Sequence, residues 1–302
     1  MELWPVVSRE YDVWKPPRPR ELLGTITDFD AQTLFFTQSD GKVLQLPSDR
    51  VSRISVSFNG EVAEASNLVA EHRYLEAITK IKDCYQSVPQ WQQQILVAQI
   101  VQSLAAIEDT RRAAIIFGNL TDAEPRPLLF YECIPLCWTV QETDAALLSE
   151  ATNWLQSENE SMRLIAASWL LLGERKAQAQ TTLTSLKQSQ VQVIAMLAGL
   201  QAWRLTPVTE TKDRLVNWLA YRDSLPPPLQ LGPTEFIADR LMRAGENDLA
   251  IGQWMRIAAQ SSTQHHRVAQ ALESAANQLA RSGHSATAQN LLPWIAQLRE
   301  KQ

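Results

Sequence analysis

Five stretches of this chain carry one and the same spacing of apolar and small residues, and they align with no internal gap. Ala65, Leu68, His72, Ala77, Ile81 and Cys84 form the first; Val101, Leu104, Glu108, Ala113, Phe117 and Leu120 form the second. Ala167, Leu170, Glu174, Ala179, Leu183 and Leu186 follow, then Ala238, Leu241, Gly245, Ala250, Trp254 and Ile257. Ala276, Leu279, Gly283, Ala288, Leu292 and Ile295 close the series, and in every case the steps are +3, +4, +5, +4 and +3. Few folds satisfy such a constraint. Residues three apart lie on one face of a helix. The third position, glycine or polar, ends that helix where a left-handed cap fits. The alanine that follows lets a second helix approach the first, and the bulky residues four and seven further on fill the space to the next hairpin. A single hairpin cannot bury that second face, so the units must stack.

The phase of the series predicts what lies between. The alanines at 77, 113, 179, 250 and 288 are separated by 36, 66, 71 and 38 residues. The two long gaps are each about twice a repeat period of roughly 34 residues. One further hairpin is expected in each: a helical stretch over Cys133–Trp154, with Pro135 near its start, and Gln190–Arg204 with Lys212–Tyr221. Seven hairpins then account for everything after residue 60. Pro226-Pro-Pro-Leu-Gln-Leu-Gly-Pro233 reads as a rigid joint that lets the last two tilt.

The register resembles that of the tetratricopeptide repeat, and Arg73-Tyr74-Leu75-Glu76-Ala77-Ile78 is the segment most similar to it. The early Trp and Gly of that family's first helix are missing, and the closing proline follows only the first two units, as Pro89 and Pro125. The resemblance implies a superhelix whose first helices line an inner, peptide-binding face. Extending the register there places Glu235, Asp239 and Arg243 in one unit and Glu273, Asn277 and Arg281 in the same slots of the next. Two rows with equivalent arginines suit an extended, partly acidic segment. The competing account is support within each helix between Glu or Asp and Arg. In the first unit the same slots hold Val62, Ser66, Val69 and Ala70, expected to cover the β domain or an apolar partner.

Ahead of the helices, residues 1–20 are proline-rich and contain Trp4 and Trp14, which suggests an extended arm pinned by its indoles. The Lys15-Pro-Pro-Arg-Pro-Arg20 run is also a candidate ligand for a proline-reading partner. Residues 22–29, 32–38, 42–46 and 50–58 read as short strands, with Asp30-Ala31 and Ser39-Asp40-Gly41 as turns. Asp28 and Asp30 are turn formers in this reading. Four such strands form a small meander or partial barrel. Gly24-Thr-Ile-Thr-Asp-Phe-Asp30 with Leu34 resembles the first half of the Sm-like motif, and SH3-like barrels more generally. That resemblance implies RNA binding or ring formation through strand edges. The second Sm half is absent, and residues 1–60 hold seven basic against eight acidic side chains, which does not favour gripping RNA.

Composition excludes several classes. A net charge of -5 offers no excess cation for phosphate backbones. Three cysteines make no disulfide framework, and no apolar run reaches membrane-spanning length, so a soluble, cytoplasmic protein is expected. Cys133 and Cys137, four apart on the expected helix, lack further ligands for a metal. His265 and His266 are adjacent and read as a polar linker. Most of the ten tryptophans read as core. No nucleophile elbow, phosphate loop or dinucleotide fingerprint occurs, so catalytic, cofactor and metal sites are all expected to be absent. The expected fold class is α+β, mostly α: a small N-terminal antiparallel β domain followed by an α-α superhelical, tetratricopeptide-like solenoid of about seven hairpins. Its divisions are an arm at 1–20, a β-meander at 21–60, hairpins over 61–225 and a C-terminal pair over 226–302. Its expected function is a non-catalytic protein-interaction scaffold for a protein or peptide partner, with self-association through the β domain, and with nucleic acid and membrane disfavoured. The alternative is an RNA-binding or ring-forming regulator.

Overall fold

A computed structural model describes residues 2–3, 20–122, 126–140, 145–260 and 264–299. Six strands come first: β1 (Glu2–Leu3), β2 (Arg20–Glu21), β3 (Gly24–Phe29), β4 (Thr33–Gln38), β5 (Val43–Pro47) and β6 (Val51–Arg53). They form two antiparallel three-stranded sheets, ordered β2-β1-β6 and β3-β4-β5. The β3–β4 turn is set by Asp30, whose Oδ1 accepts from the N–H groups of Gln32 at 2.8 Å and Thr33 at 2.7 Å. The strand expected over 50–58 is cut to Val51–Arg53. Its alternation continues, with Ile54, Val56 and Phe58 half-buried and Ser55 and Ser57 exposed. Among the described residues the ladder with β1 pairs Glu2 with Arg53 and Leu3 with Val51. The arm is thereby corrected at its ends, since Glu2–Leu3 and Arg20–Glu21 belong to a sheet; the rest of it, including Lys15, lies outside the described residues.

Thirteen α-helices follow among the described residues. Five hairpins carry the register: α1 (Gly60–Ala70) with α2 (Tyr74–Cys84), α3 (Gln90–Ala106) with α4 (Thr110–Thr121), α6 (Glu160–Leu170) with α7 (Lys176–Leu186), α10 (Leu231–Arg243) with α11 (Asn247–Gln260), and α12 (His265–Arg281) with α13 (Ser285–Arg299). All five register alanines are buried; Ala77, Ala113, Ala179 and Ala250 have no exposed surface at all.

Hydrogen bonds explain the +4, +5 spacing. In four hairpins the register Leu (Leu68, Leu104, Leu241, Leu279) accepts at 2.9 Å from the N–H five residues on (Arg73, Asp109, Glu246, His284). The intervening residue also donates three positions back, which completes a Schellman cap. That residue is left-handed in each case: His72 at φ 64, Glu108 at 63, Gly245 at 80 and Gly283 at 83. The carbonyl of the next residue then accepts from the alanine N–H, opening the second helix. One residue thus closes one helix and starts the other. Unit three departs from this. Glu174 is not left-handed, and Gly173 bonds back only to Leu170 at 3.2 Å.

The two long gaps hold α5 (Ala145–Trp154), and α8 (Gln192–Gln201) with α9 (Thr211–Ser224). The first gap corrects the expectation of helix over Cys133–Trp154. A 3-10 helix spans Leu128–Cys133, and residues 134–140 form neither helix nor strand. Pro135 biases Ile134 away from the helical region and brings no N–H of its own, so Cys133 and Cys137 do not share a helix. This irregular segment is pinned by Trp169 Nε1 donating to the Pro135 carbonyl at 2.9 Å and by Cys137 N–H donating to Ser168 Oγ at 3.1 Å. Arg204, buried, donates to the Ser168 carbonyl, to Gln201 Oε1 at 2.9 Å and to Cys137 Sγ at 3.2 Å, and burial lowers its pKa. In the second gap, α8 and α9 match the expected boundaries. Aromatics join the unit to α10: Trp203 stacks on Trp218 at 5.7 Å, and Trp218 meets Phe236 edge-on at 5.0 Å.

Three long-range placements escape the sequence. Leu22, Phe29, Leu34, Phe36 and Val51 of the β domain form one core with Trp91 of α3 and Phe130. The β domain therefore docks on the second hairpin, not on Val62, Ser66, Val69 and Ala70; Val62 and Val69 pack into the helical core, and Ser66 Oγ accepts from Gln99 at 2.8 Å. Pro228 to Pro233 are buried, and Gly232 lies against Trp138, so this stretch is a packed contact and not a free joint. Finally, the array bends until His265, at the start of α12, meets His72 of the first hairpin at a ring distance of 4.4 Å. His265 and His266 are helix residues, not a linker.

Candidate functional site

The bend encloses a groove of about 1030 Å³. Its walls come from both halves of the array. The α3–α4 turn contributes Glu108 and Asp109, and the start of α4 Arg111; the irregular segment contributes Trp138 and Thr139; α10 and α12 contribute Glu235, Asp239, Glu273 and Asn277.

Each wall has a local cause. Glu108 occupies the left-handed cap that the register demands, at the mouth of the turn. Asp109 caps α4, its carboxylate accepting from Arg112 N–H at 3.0 Å. Glu132 ends the 3-10 helix, where its carbonyl accepts from Gln264 Nε2 at 3.1 Å, tying the middle of the chain to the start of α12. Arg267 of α12 grips both carboxylate oxygens of Glu235 across to α10, a bidentate pair that fixes the two helices in register. Burial, reinforced by Arg267, His265 and His72, pushes His266 down to about 3, so it is neutral at pH 7. Burial also raises the Asp239 carboxyl, against the pull of Arg243.

Four of the six residues that the register places on the inner face line this groove: Glu235, Asp239, Glu273 and Asn277. The two arginines do not. Arg243 pairs with Asp239 at 2.9 Å one turn back and is exposed, which is the within-helix support weighed above; Arg281 is exposed at the end of α12. Glu273 is paired across the hairpin with Arg299 of α13. Sequence reasoning missed Glu132, Trp138, Trp169, His266 and Arg267. Only Glu108 carried a signal, its place in the register; the rest enter through contacts between distant units.

Three tryptophans, Trp138, Trp169 and Trp254, border the groove. Trp91 and Trp218 are core, whereas Trp294 is 67% exposed. Cys84, Cys133 and Cys137 are buried and form no disulfide, and burial pushes the Cys133 thiol far up. Among the described residues no three His, Cys, Asp or Glu side chains converge as metal ligands, and no helix is long and apolar enough to cross a membrane. No family model, curated protein or solved structure matches the chain.

Proposed function

We propose that this protein is a non-catalytic scaffold that holds a segment of another protein inside the groove of a degenerate, tetratricopeptide-like solenoid. The observation that carries this reading is a polar groove of about 1030 Å³ walled by units distant in the chain. Pre-formed sites for bound molecules fall mostly between about 300 and 1,000 Å³, so a groove at the top of that range suits a stretch of peptide better than a metabolite. The repeated caps and buried alanines supply the rigidity that such a site needs. The test is photo-crosslinking from the intact chain, with a benzophenone residue at Gln270 in the groove or at Val216, which is 74% exposed. Protein adducts from position 270 and not from 216 are expected. Equal yields from both, or adducts from 216 alone, refute the groove as the binding face.

A further inference from the structure

We propose that the occupant of the groove is an extended, basic peptide segment carrying at least two Lys or Arg side chains; this rests on the scaffold reading above. Six carboxylates line the groove: Glu108, Asp109, Glu132, Glu235, Asp239 and Glu273. Among the described residues only Arg111 and Arg267 line it with positive charge, so six minus two leaves a net of four negative charges from those residues. His266 adds none at neutral pH. Both lining arginines are already engaged, Arg267 with Glu235 and Arg111 with Glu150. The cations that pair with three more of these carboxylates, Arg112, Arg243 and Arg299, are not among the lining residues. An acidic segment would therefore enter against a like-charged wall and would have to break the bidentate Arg267–Glu235 pair to find a cation. A basic segment displaces nothing, because each carboxylate oxygen accepts more than one hydrogen bond.

Two further features fit the same chemistry. The indoles of Trp138, Trp169 and Trp254 border the acidic wall, and an indole face attracts guanidinium and ammonium groups. Gln102, Gln270 and Asn277 supply amides along the groove that can pair with the backbone of an extended chain. The carboxylates are contributed by α10, α12, the α3–α4 turn and the 3-10 helix, so they reach the groove from four separate parts of the chain. The charge expected from the register is thus reversed: the arginines expected to receive an acidic partner stand outside, and the carboxylates stand within.

The experiment is fluorescence anisotropy on the intact chain with three labelled 12-residue probes of one Gly/Ser backbone, bearing four Arg, four Gln or four Glu. The variants are Glu108→Gln/Glu273→Gln, which removes two lining charges, Asn277→Trp, which fills the groove from an exposed position, and Glu174→Gln, a control outside it. The Arg probe is expected to bind at least about tenfold more tightly than the Glu probe at low salt, with affinity falling as salt rises. The double variant should weaken it by at least about fivefold, Asn277→Trp should abolish it, and Glu174→Gln should leave it unchanged. If the Glu or Gln probe binds more tightly and Asn277→Trp blocks it, the charge inference fails while the groove reading stands. If the Arg probe binds the wild type and both groove variants alike, it sits elsewhere and the inference is overturned. If no probe binds, the inference fails; if position 270 also yields no adducts, the scaffold reading fails with it.

Discussion

Gly232 lies so close to Trp138 that even one methyl group is too many. A Cβ built there stands 2.1 Å from Cε2, 2.2 Å from Nε1 and 2.6 Å from Cζ2 of the indole. Carbon atoms pack best at roughly 3.5–4.0 Å, so Gly232→Ala leaves more than an ångström for the ring or the helix to absorb. The ring has little room, because Trp138 is 8% exposed and follows a segment held by Ser168, Trp169 and Arg204. Overpacking of this kind costs about 1–3 kcal/mol. At roughly 2–4 °C per kcal/mol for a chain of this size, a fall in Tm of several degrees is expected. Trp138→Ala alone should cost about 3–5 kcal/mol as a cavity. In that background the clash is gone, and Gly232→Ala should be neutral or stabilise by up to about 1 kcal/mol, as alanine does in a helix. The coupling between the two sites is then about 1–4 kcal/mol, well beyond the few tenths by which independent sites depart from additivity. Urea denaturation followed by circular dichroism measures all four states of the cycle. An equal effect of Gly232→Ala in both backgrounds, or none in the wild type, refutes this account of how the middle of the chain locks to the C-terminal hairpins.

The caps predict opposite signs for similar changes. Gly245→Ala places a Cβ at φ 80 and should cost about 1 kcal/mol, whereas Glu108→Gly relieves a left-handed residue and should stabilise by about 0.5–1 kcal/mol; thermal melts check both. The stack predicts unequal costs for one register slot. Leu183→Ala removes a side chain 1% exposed and should cost about 3 kcal/mol, but Leu292→Ala, 54% exposed, should cost less than about 1 kcal/mol in the same assay. His266 predicts a pH dependence. Its folded value of about 3 lies below the ordinary 6.5, so the unfolded chain binds the extra proton. Its contribution is complete above pH 6.5 and is lost as pH falls toward 3, by at most about 1.4 kcal/mol per pH unit. Stability measured at pH 4.5 and 7.5 should differ less in His266→Gln than in the wild type, and an unchanged difference contradicts the assignment.

What the sequence determined by itself was whatever a few consecutive residues decide. The spacing through Leu68, His72 and Ala77 encodes a cap and a helix start, all of it hydrogen bonding within ten residues, and it held in four units of five. The Asp30 turn and the buried alanines belong to the same class. Tertiary structure decided the rest. Pro135 broke an expected helix, and a distant arginine, Arg204, then fixed the irregular replacement. The β domain chose Trp91 over Val62 as its contact. The curvature that brings His265 to His72 is the sum of small rotations between units, each set by side-chain packing that no local spacing specifies. That sum determines which charges face inward: Glu235, Asp239, Glu273 and Asn277 line the groove, whereas Arg243 and Arg281, in the same register, do not, and no local spacing separates the two sets.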